Sequence, residues 1–425
     1  MLTEKGYLPR IIDDRIDDLL RAFGAVCVEG SKWCGKTWTS LNHSNSVFYV
    51  GDPTGGYQNR LLAEIDPLAA LEGKTPHLID EWQEVPGLWD ATRFAIDRSQ
   101  EKGRFILTGS SVPPQRSTIH TGTGRIYRLR MRPMTLAESG DSSASVSLAR
   151  LFDGEFGRHK DSADLDRIIW LATRGGWPGA LELDQKSALE IPAHYVKEVA
   201  DRDMSKVDYQ KRRPERVRRL LYSLARNNMT MVSNKTLIRD TLESGGAVNF
   251  STPTLIAYIG ALKKLFVIEE LPAWSPRLRS RNRVRVSPKK HFVDPSLAIA
   301  ALGATMHHLK GDLETFGFMF ENMVIRDLKV YAESLGARLF HYHDDEGLEV
   351  DAIIEMPDGR WAGVEVKLGV GDADVAAGTL QALEKKIHKA GGKPPTFLAV
   401  ICGVCNFSYT RKDGVLVLPI TALGV

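Results

Sequence analysis

Gly30-Ser31-Lys32-Trp33-Cys34-Gly35-Lys36-Thr37 decides the fold of the amino-terminal region. It is a complete GxxxxGK[ST], and it follows Ala25-Val26-Cys27-Val28, an apolar run of the length of a buried strand. In this spacing the backbone N–H groups of the loop wrap phosphate oxygens, the following helix points its positive end at them, and both glycines permit close approach. Lys36 is placed to reach the β- and γ-phosphates and Thr37 to ligate Mg²⁺. A chance Gly/Lys loop is the competing reading, and the strand before it and the helix after it argue against that.

Working outward, Asp13 to Phe23 has apolar residues at helical spacing, and Val47–Val50, His77–Ile79 and Phe105–Leu107 repeat the buried-strand signature. Strands separated by helix-length connections predict a parallel sheet covered by helices on both faces. Leu78-Ile79 runs into Asp80-Glu81, where Asp80 is suited to the Mg²⁺ shell and Glu81 to polarising an attacking water. Many strands simply leave the sheet through polar residues, so this pair gains meaning only beside the phosphate loop. Phe105-Ile106-Leu107 ends in Thr108-Gly109-Ser110-Ser111, hydroxyls at the carboxyl edge where open α/β sheets bind ligands. A Ser/Thr-rich turn explains any one of them equally well.

The chain has 425 residues, 26% charged and 43% hydrophobic, which excludes a disordered tail, a fibre and a disulfide-held miniprotein. Lys+Arg 56 against Asp+Glu 53 leaves a formal charge of +3, so any nucleic-acid footprint must be local. Four cysteines make a poor disulfide framework, MLTEKGYLPR has no signal-type apolar region, and Phe397 to Cys405 is the longest apolar stretch. A soluble cytoplasmic protein with no membrane partner is expected. Cys402-Gly403-Val404-Cys405 follows an apolar strand and has no second Cys pair, so buried thiols are expected there rather than zinc. His307, His308, His341 and His343 read as surface or helix-end residues, with a supporting role for the last two conceivable near the hairpin described below.

GSKWCGKT, HLIDEWQEVPGLWD, FILTGSS and TGTGRIYRLRMRPMTLAE follow one another over residues 10 to 140, and RGGWPGAL (Arg174 to Leu181), Tyr195 and Arg202-Asp203 continue the series. In these the sequence resembles the AAA-type P-loop ATPases, and more closely a widespread prokaryotic family that joins such a module to a helical region and a nuclease-like carboxyl-terminal domain. The resemblance implies ATP and Mg²⁺ as cofactors, Ser110 as the polar residue sensing the γ-phosphate, and Arg125 as an arginine acting in trans, hence a homo-oligomer. Trp33-Cys34 departs from the smaller or more polar residues usual in that loop. Because backbone groups do the binding, the departure is expected to alter nucleotide rate or redox sensitivity and to leave binding intact.

After Glu138 the polar stretch Gly140–Ser147 reads as a linker, and 141–200 as linker and helical lid. Helical patterns at Arg216–Leu224, Asn234–Leu242 and Thr252–Lys264, then a strand at Phe266–Leu271 and Lys290–Asp294, predict a winged helix within 201–305, with Ser251–Lys264 in the recognition position. Lys211, Arg212, Arg213, Arg216, Arg218 and Arg219 form one basic cluster. Arg277, Arg279, Arg281, Arg283, Arg285, Lys289 and Lys290 form another without an acid among them. Segments 211–219 and 277–290 could therefore contact DNA in a salt-dependent way. A solvated or internally docked wing and a protein-docking module are the competing readings.

In 306–425, Leu348–Glu355 and Trp361–Leu368 flank the turn Pro357-Asp358-Gly359. Alternation predicts a buried face of Leu348, Val350, Ala352, Ile354, Ala362, Val364, Val366 and Leu368, and a polar face carrying Asp351, Glu365 and Lys367. A turn centred on Asp358 sets Asp351 opposite Glu365, whereas a loop with an even number of residues would put them on opposite faces and remove the site. Two such carboxylates repel unless a proton or a cation such as Mg²⁺ or Mn²⁺ intervenes, and Lys367 could orient a water or stabilise developing phosphorane charge. An amphipathic hairpin with a Glu–Lys pair is the plain alternative. The arrangement resembles the PD-(D/E)XK nucleases, which implies that Glu321, on the preceding helix, completes a metal set with Asp351 and Glu365.

The expected fold is thus α/β and multidomain: an ATPase with a parallel sheet over 1–140, a helical lid, a winged-helix middle and a restriction-endonuclease-like α/β end. The expected function is ATP hydrolysis controlling a DNA-facing module, with Mg²⁺-dependent cleavage at the carboxyl-terminal site. The alternative is a STAND-like signalling switch that gates a protein partner and carries an inactive nuclease-like scaffold.

Overall fold

Helix α1 (Asp13–Ala22) buries the stripe Ile16, Leu19 and Leu20 and leads into β1 (Ala25–Gly30), all six residues of which are buried. The chain continues through α2 (Lys36–Asn42), β2 (Ser46–Tyr49), α3 (Thr54–Ile65), β3 (His77–Asp80), α4 (Gly87–Ser99), β4 (Phe105–Gly109) and β5 (Ile126–Met131). The five strands form one parallel sheet in the order β2-β3-β4-β1-β5. Near-continuous apolar runs suit such a sheet because helices cover both faces. In this computed structural model, which describes residues 1–112, 120–160, 163–208, 210–243, 250–276 and 285–425, the chain forms two compact units. The first takes in Met1–Pro133 together with Asp201–Arg212 and Ala257–Val267; the second takes in Met134–Ala200, Arg213–Ile256 and Ile268–Val425.

Two glycines are demanded by the loop after β1. A Cβ on Gly30 would lie 2.1 Å from the Met131 carbonyl oxygen on the neighbouring strand, and Gly35, which precedes α2, has φ 102°.

In the second unit, β6 (Val146–Ser147) shows that the polar stretch after Glu138 is no free linker. Ser142 Oγ donates to the Leu423 carbonyl at 2.7 Å, and Ser143 N to Thr421 at 2.8 Å. Helices Pro214–Arg226 and Asn234–Glu243, and helix Thr252–Lys264, whose residues from Ala257 onward count with the first unit, precede an antiparallel ribbon of β7 (Ile268–Leu271) and β8 (Lys289–Phe292). Arg277, Arg279, Arg281 and Arg283 lie outside the described residues.

Beyond the buried helix Leu313–Ser334 come β9 (Arg338–His343), β10 (Glu349–Glu355), β11 (Trp361–Gly369), β12 (Phe397–Val404), β13 (Tyr409–Thr410) and β14 (Leu416–Pro419). They form a six-stranded sheet in the order β13-β14-β12-β11-β10-β9, and β15 (Leu423–Gly424) pairs with β6. Helix Ala373–Lys389 packs Ala376, Leu380, Leu383 and Ile387 into a core with Ile353, Leu398, Val400 and Val417. Helix Leu313–Ser334 packs against β9, β10 and β11. As β11 is an inner strand, Trp361, Gly363 and Glu365 are buried along with the even-numbered face, so the one-sided alternation expected of a solvent-facing hairpin does not hold there. Among the described residues no helix is long and apolar enough to cross a membrane.

Candidate nucleotide site and carboxylate pocket

The order of the strands builds the first site. Because β4 lies between β1 and β3, the carboxyl ends of all three meet at one edge with the loop 30–37, Thr108 and Asp80. Asp80 Oδ1 accepts from Thr37 Oγ1 at 2.8 Å and from Thr108 Oγ1 at 2.7 Å, and Thr108 Oγ1 in turn accepts from Glu81 N at 2.9 Å. Burial raises the pKa of Asp80, with the Glu81 charge adding to it, against the two hydroxyl bonds and Lys36. Ser110 Oγ donates to Glu81 Oε2 at 2.8 Å, and Gln83 also contacts that carboxylate. Glu81 and Trp33 are held at φ 59° and 62°, in the left-handed region that non-glycine residues avoid, a form of strain found preferentially at functional sites.

Lys36 Nζ donates to the Ser31 carbonyl at 2.8 Å, inside its own loop. Lys32 Nζ pairs with Asp203 Oδ1 at 2.6 Å, and Arg10 donates to the Cys34 and Arg132 carbonyls at 2.8 Å each. Ser31 Oγ is buried with no partner, as a hydroxyl facing a ligand would be. Mg²⁺, implied by the loop motif, suits these donors: Thr37 and Asp80 offer a hydroxyl and a carboxylate oxygen already in contact. Cys34 is wholly buried, and Trp33 is exposed.

Gly30 to Thr37, Asp80, Glu81 and Ser110 therefore come together. Arg125 does not join them. It precedes β5 at the amino end of the strand, the edge opposite the phosphate loop, with Nε donating to Asp97 at 2.8 Å. Sequence reasoning gave Thr108 only as one hydroxyl among several and missed Arg10, which offers no local signal.

The second site lies in the carboxyl-terminal sheet. Ala352 pairs with Val364 and Ile354 with Ala362, the register of a turn centred on Asp358, and the ladder ends at Ala352, one residue short of the expected Asp351–Glu365 pair. Asp351 Oδ2 accepts from Val366 N at 2.8 Å where the ladder stops. Lys367 Nζ lies 2.8 Å from Glu365 Oε2 and 3.8 Å from Asp351 Oδ2. Lys289 Nζ lies 2.9 Å from Glu321 Oε1, 2.8 Å from Glu349 Oε1 and 3.6 Å from Asp351 Oδ1. Glu321, Asp351, Glu365 and Lys367 are thus neighbours, and Lys289 and Glu349 join them.

Burial, reinforced by the Asp351 charge, pushes Glu321 up to about 8 and Glu365 up to about 7. Burial alone would lower both lysines, but the surrounding carboxylates hold Lys289 and Lys367 above the usual ammonium range. His341, expected at the surface, is fully buried; burial and the Lys289 charge depress it to about 4.

Several members of the expected DNA-binding clusters are committed internally, Lys290 among them through a 3.1 Å bond from Nζ to the Val232 carbonyl. Lys289 is buried in the carboxylate pocket because three acids from distant elements converge on it. Arg212 is buried against Asp208 and the Met204 carbonyl. Arg219 pairs with Glu215 at 2.9 Å, whereas Lys211, Arg213, Arg218 and Arg285 are exposed. Cys402 and Cys405 are buried free thiols.

Comparisons with known proteins divide the chain in three. Residues 22–139 match a family described as AAA domain, residues 166–308 a domain of unknown function, DUF8612, and residues 316–423 another, DUF4143. Uncharacterized proteins of Mycobacterium bovis and Mycobacterium tuberculosis are each 25% identical over 307 residues, 71% of this chain. The match spans 61% of the length of those curated relatives. Among solved structures, a Walker-type ATPase of Pyrococcus abyssi is 15% identical with TM-score 0.43, covering 71% of this chain and 97% of that one. The Orc1 protein of Aeropyrum pernix, solved in complex with DNA, is 15% identical with TM-score 0.22, covering 70% and 93%. Loop, sheet and the AAA-domain match agree: residues 22–139 form a parallel α/β P-loop domain similar to the AAA family.

Proposed function

We propose that the chain binds ATP with Mg²⁺ at the loop 30–37 and hydrolyses it, and that its nucleotide state controls the helix-and-ribbon region that follows. The observation that carries this is Asp80 Oδ1 shared between Thr37 and Thr108, with the Glu81 carboxylate held beside it by Ser110. Lys36 leaves the Ser31 carbonyl for the β- and γ-phosphates, and Thr37 with Asp80 holds Mg²⁺. When bound between Thr37 and Asp80, the ion would supply neutralisation of the phosphate charge. Glu81 accepts a proton from the attacking water, and Ser110 couples that carboxylate to the γ-phosphate. Arg125 acts on a neighbouring copy in a homo-oligomer. Lys36→Ala should abolish nucleotide binding, and Glu81→Gln should bind ATP without turning it over. Retained turnover in both variants would refute the assignment.

For the remainder of the chain, the winged-helix reading makes DNA the partner, through exposed Lys211, Arg213, Arg218 and Arg285. The second reading is a switch that gates a protein partner and has no nuclease activity. It is favoured by Lys289 lying among the carboxylates that a nuclease would give to metal. Nicking of plasmid DNA with Mg²⁺ or Mn²⁺, lost in Asp351→Ala, would support cleavage; ATPase activity without nicking supports the switch.

A further inference from the structure

The carboxylate pocket already contains a cation. The Lys289 side chain is 3% exposed, and its Nζ contacts Glu321, Glu349 and Asp351 at 2.9, 2.8 and 3.6 Å. Lys367 closes the pocket from the Glu365 side. A Mg²⁺ ion shared by Glu321 and Asp351 would need their oxygens at roughly 2.1 Å from one centre. The ammonium is in contact with those same two carboxylates. Placing a dication there as well would press it against a fixed positive charge in a water-poor site, where charge repulsion is weakly screened. Among the described residues no group of three or more His, Cys, Asp or Glu side chains is arranged to hold a metal ion. The donor set therefore does not fit Mg²⁺ or Mn²⁺ with Lys289 in place.

Lys289 is also fastened. It is the first residue of β8 and pairs with Leu271, while the next residue exchanges backbone hydrogen bonds with a neighbouring segment: Lys290 N donates to the Thr230 carbonyl at 3.0 Å and Met229 N to the Lys290 carbonyl at 2.9 Å. Phe292 N donates to Asn228 Oδ1 at 3.2 Å. The ammonium is delivered by a strand, where a surface lysine would swing free.

We infer that Lys289 is a tethered cation standing in for a divalent metal, so that the pocket formed by Glu321, Asp351 and Glu365 admits a hard divalent cation only when this side chain is removed. The inference rests on the pocket alone and is independent of ATP hydrolysis.

The test is Mn²⁺ binding to the full chain without nucleotide, by calorimetry and by the free-Mn²⁺ electron paramagnetic resonance signal, for wild type, Lys289→Met, Lys289→Gln and each combined with Asp351→Asn. The comparison within each pair isolates this pocket from the phosphate loop. Wild type should show no Asp351-dependent site up to about 1 mM, the weak end of protein cation sites. Either Lys289 variant should gain one, at least about tenfold tighter. Asp351-dependent binding of equal affinity in wild type would overturn the inference, as would a folded Lys289 variant that binds no Mn²⁺. Should Lys289→Met fail to fold, Lys289→Gln, which keeps a neutral donor in the pocket, decides.

Discussion

Asp80→Asn separates a structural role for this residue from a role at the nucleotide. Its Oδ1 accepts from Thr37 and Thr108 at 2.8 and 2.7 Å, bonds an amide oxygen can also accept. Each loses the extra strength of a charged acceptor, about 1 kcal/mol. Against that stands burial, which here outweighs the hydrogen bonds and raises the Asp80 pKa. A raised folded-state pKa means that stability is greatest at low pH and falls as pH rises through it, so the neutral isostere removes a penalty at pH 7. The two effects leave unfolding free energy within about 1 kcal/mol of wild type. With Mg²⁺ present the balance reverses, since the ion loses a full negative charge. Even strongly screened, that is worth about 2 kcal/mol, or roughly 30-fold in affinity. Calorimetry of ATP binding with Mg²⁺ and with a chelator, beside urea unfolding of the free protein, measures both. A variant that loses several kcal/mol of stability while keeping wild-type Mg²⁺ dependence would refute the reasoning.

Gly30→Ala should prevent nucleotide binding, because the new methyl meets the Met131 carbonyl at 2.1 Å and β1 must part from β5; normal ATP affinity in a fluorescent-nucleotide titration would contradict this. His43 lies 2.7 Å from Asp17 and 2.9 Å from Asp13, whose bonds overcome burial and raise its pKa. Its contribution is complete below about pH 6.5 and is lost as pH rises through the raised value, so His43→Gln should flatten that part of the stability profile measured by urea unfolding. Arg326 is buried between Asp294 and Asp327 at 2.8 Å each, and Arg326→Met should cost about 3–5 kcal/mol by stranding two carboxylates; a loss below about 1 kcal/mol in chemical denaturation would show that they protonate without penalty.

What was legible in the sequence was whatever local spacing dictates. The phosphate loop is eight consecutive residues, and β3 ends at the acids read beside it. The β10–β11 register followed from one turn, with Gly359 at φ 84° taking the conformation its neighbours could not. What escaped depends on residues far apart in sequence. Asp203 reaches Lys32 across 171 positions, so the Arg202-Asp203 motif could be noticed but not placed. Lys289 belongs to an arginine-rich segment whose composition points to solvent, and only Glu321, Glu349 and Asp351 reveal its burial. His341 misled for the same reason. Inner-strand β11 lost its expected polar face because a second helical layer covers it.

The discontinuous first unit has a consequence for synthesis. A ribosome that has delivered residues 1–133 has made every strand of the parallel sheet but neither Asp203 nor Phe266, which meet Lys32 and Arg130 within the finished unit. The nascent phosphate loop must therefore wait for the 70 residues from Met134 to Asp203 to be added before its lysine finds its partner, and over that interval the exposed surface is a candidate for chaperone capture. A fragment ending at residue 140 would freeze the molecule at that stage. Its nucleotide affinity would describe a folding intermediate of the intact chain.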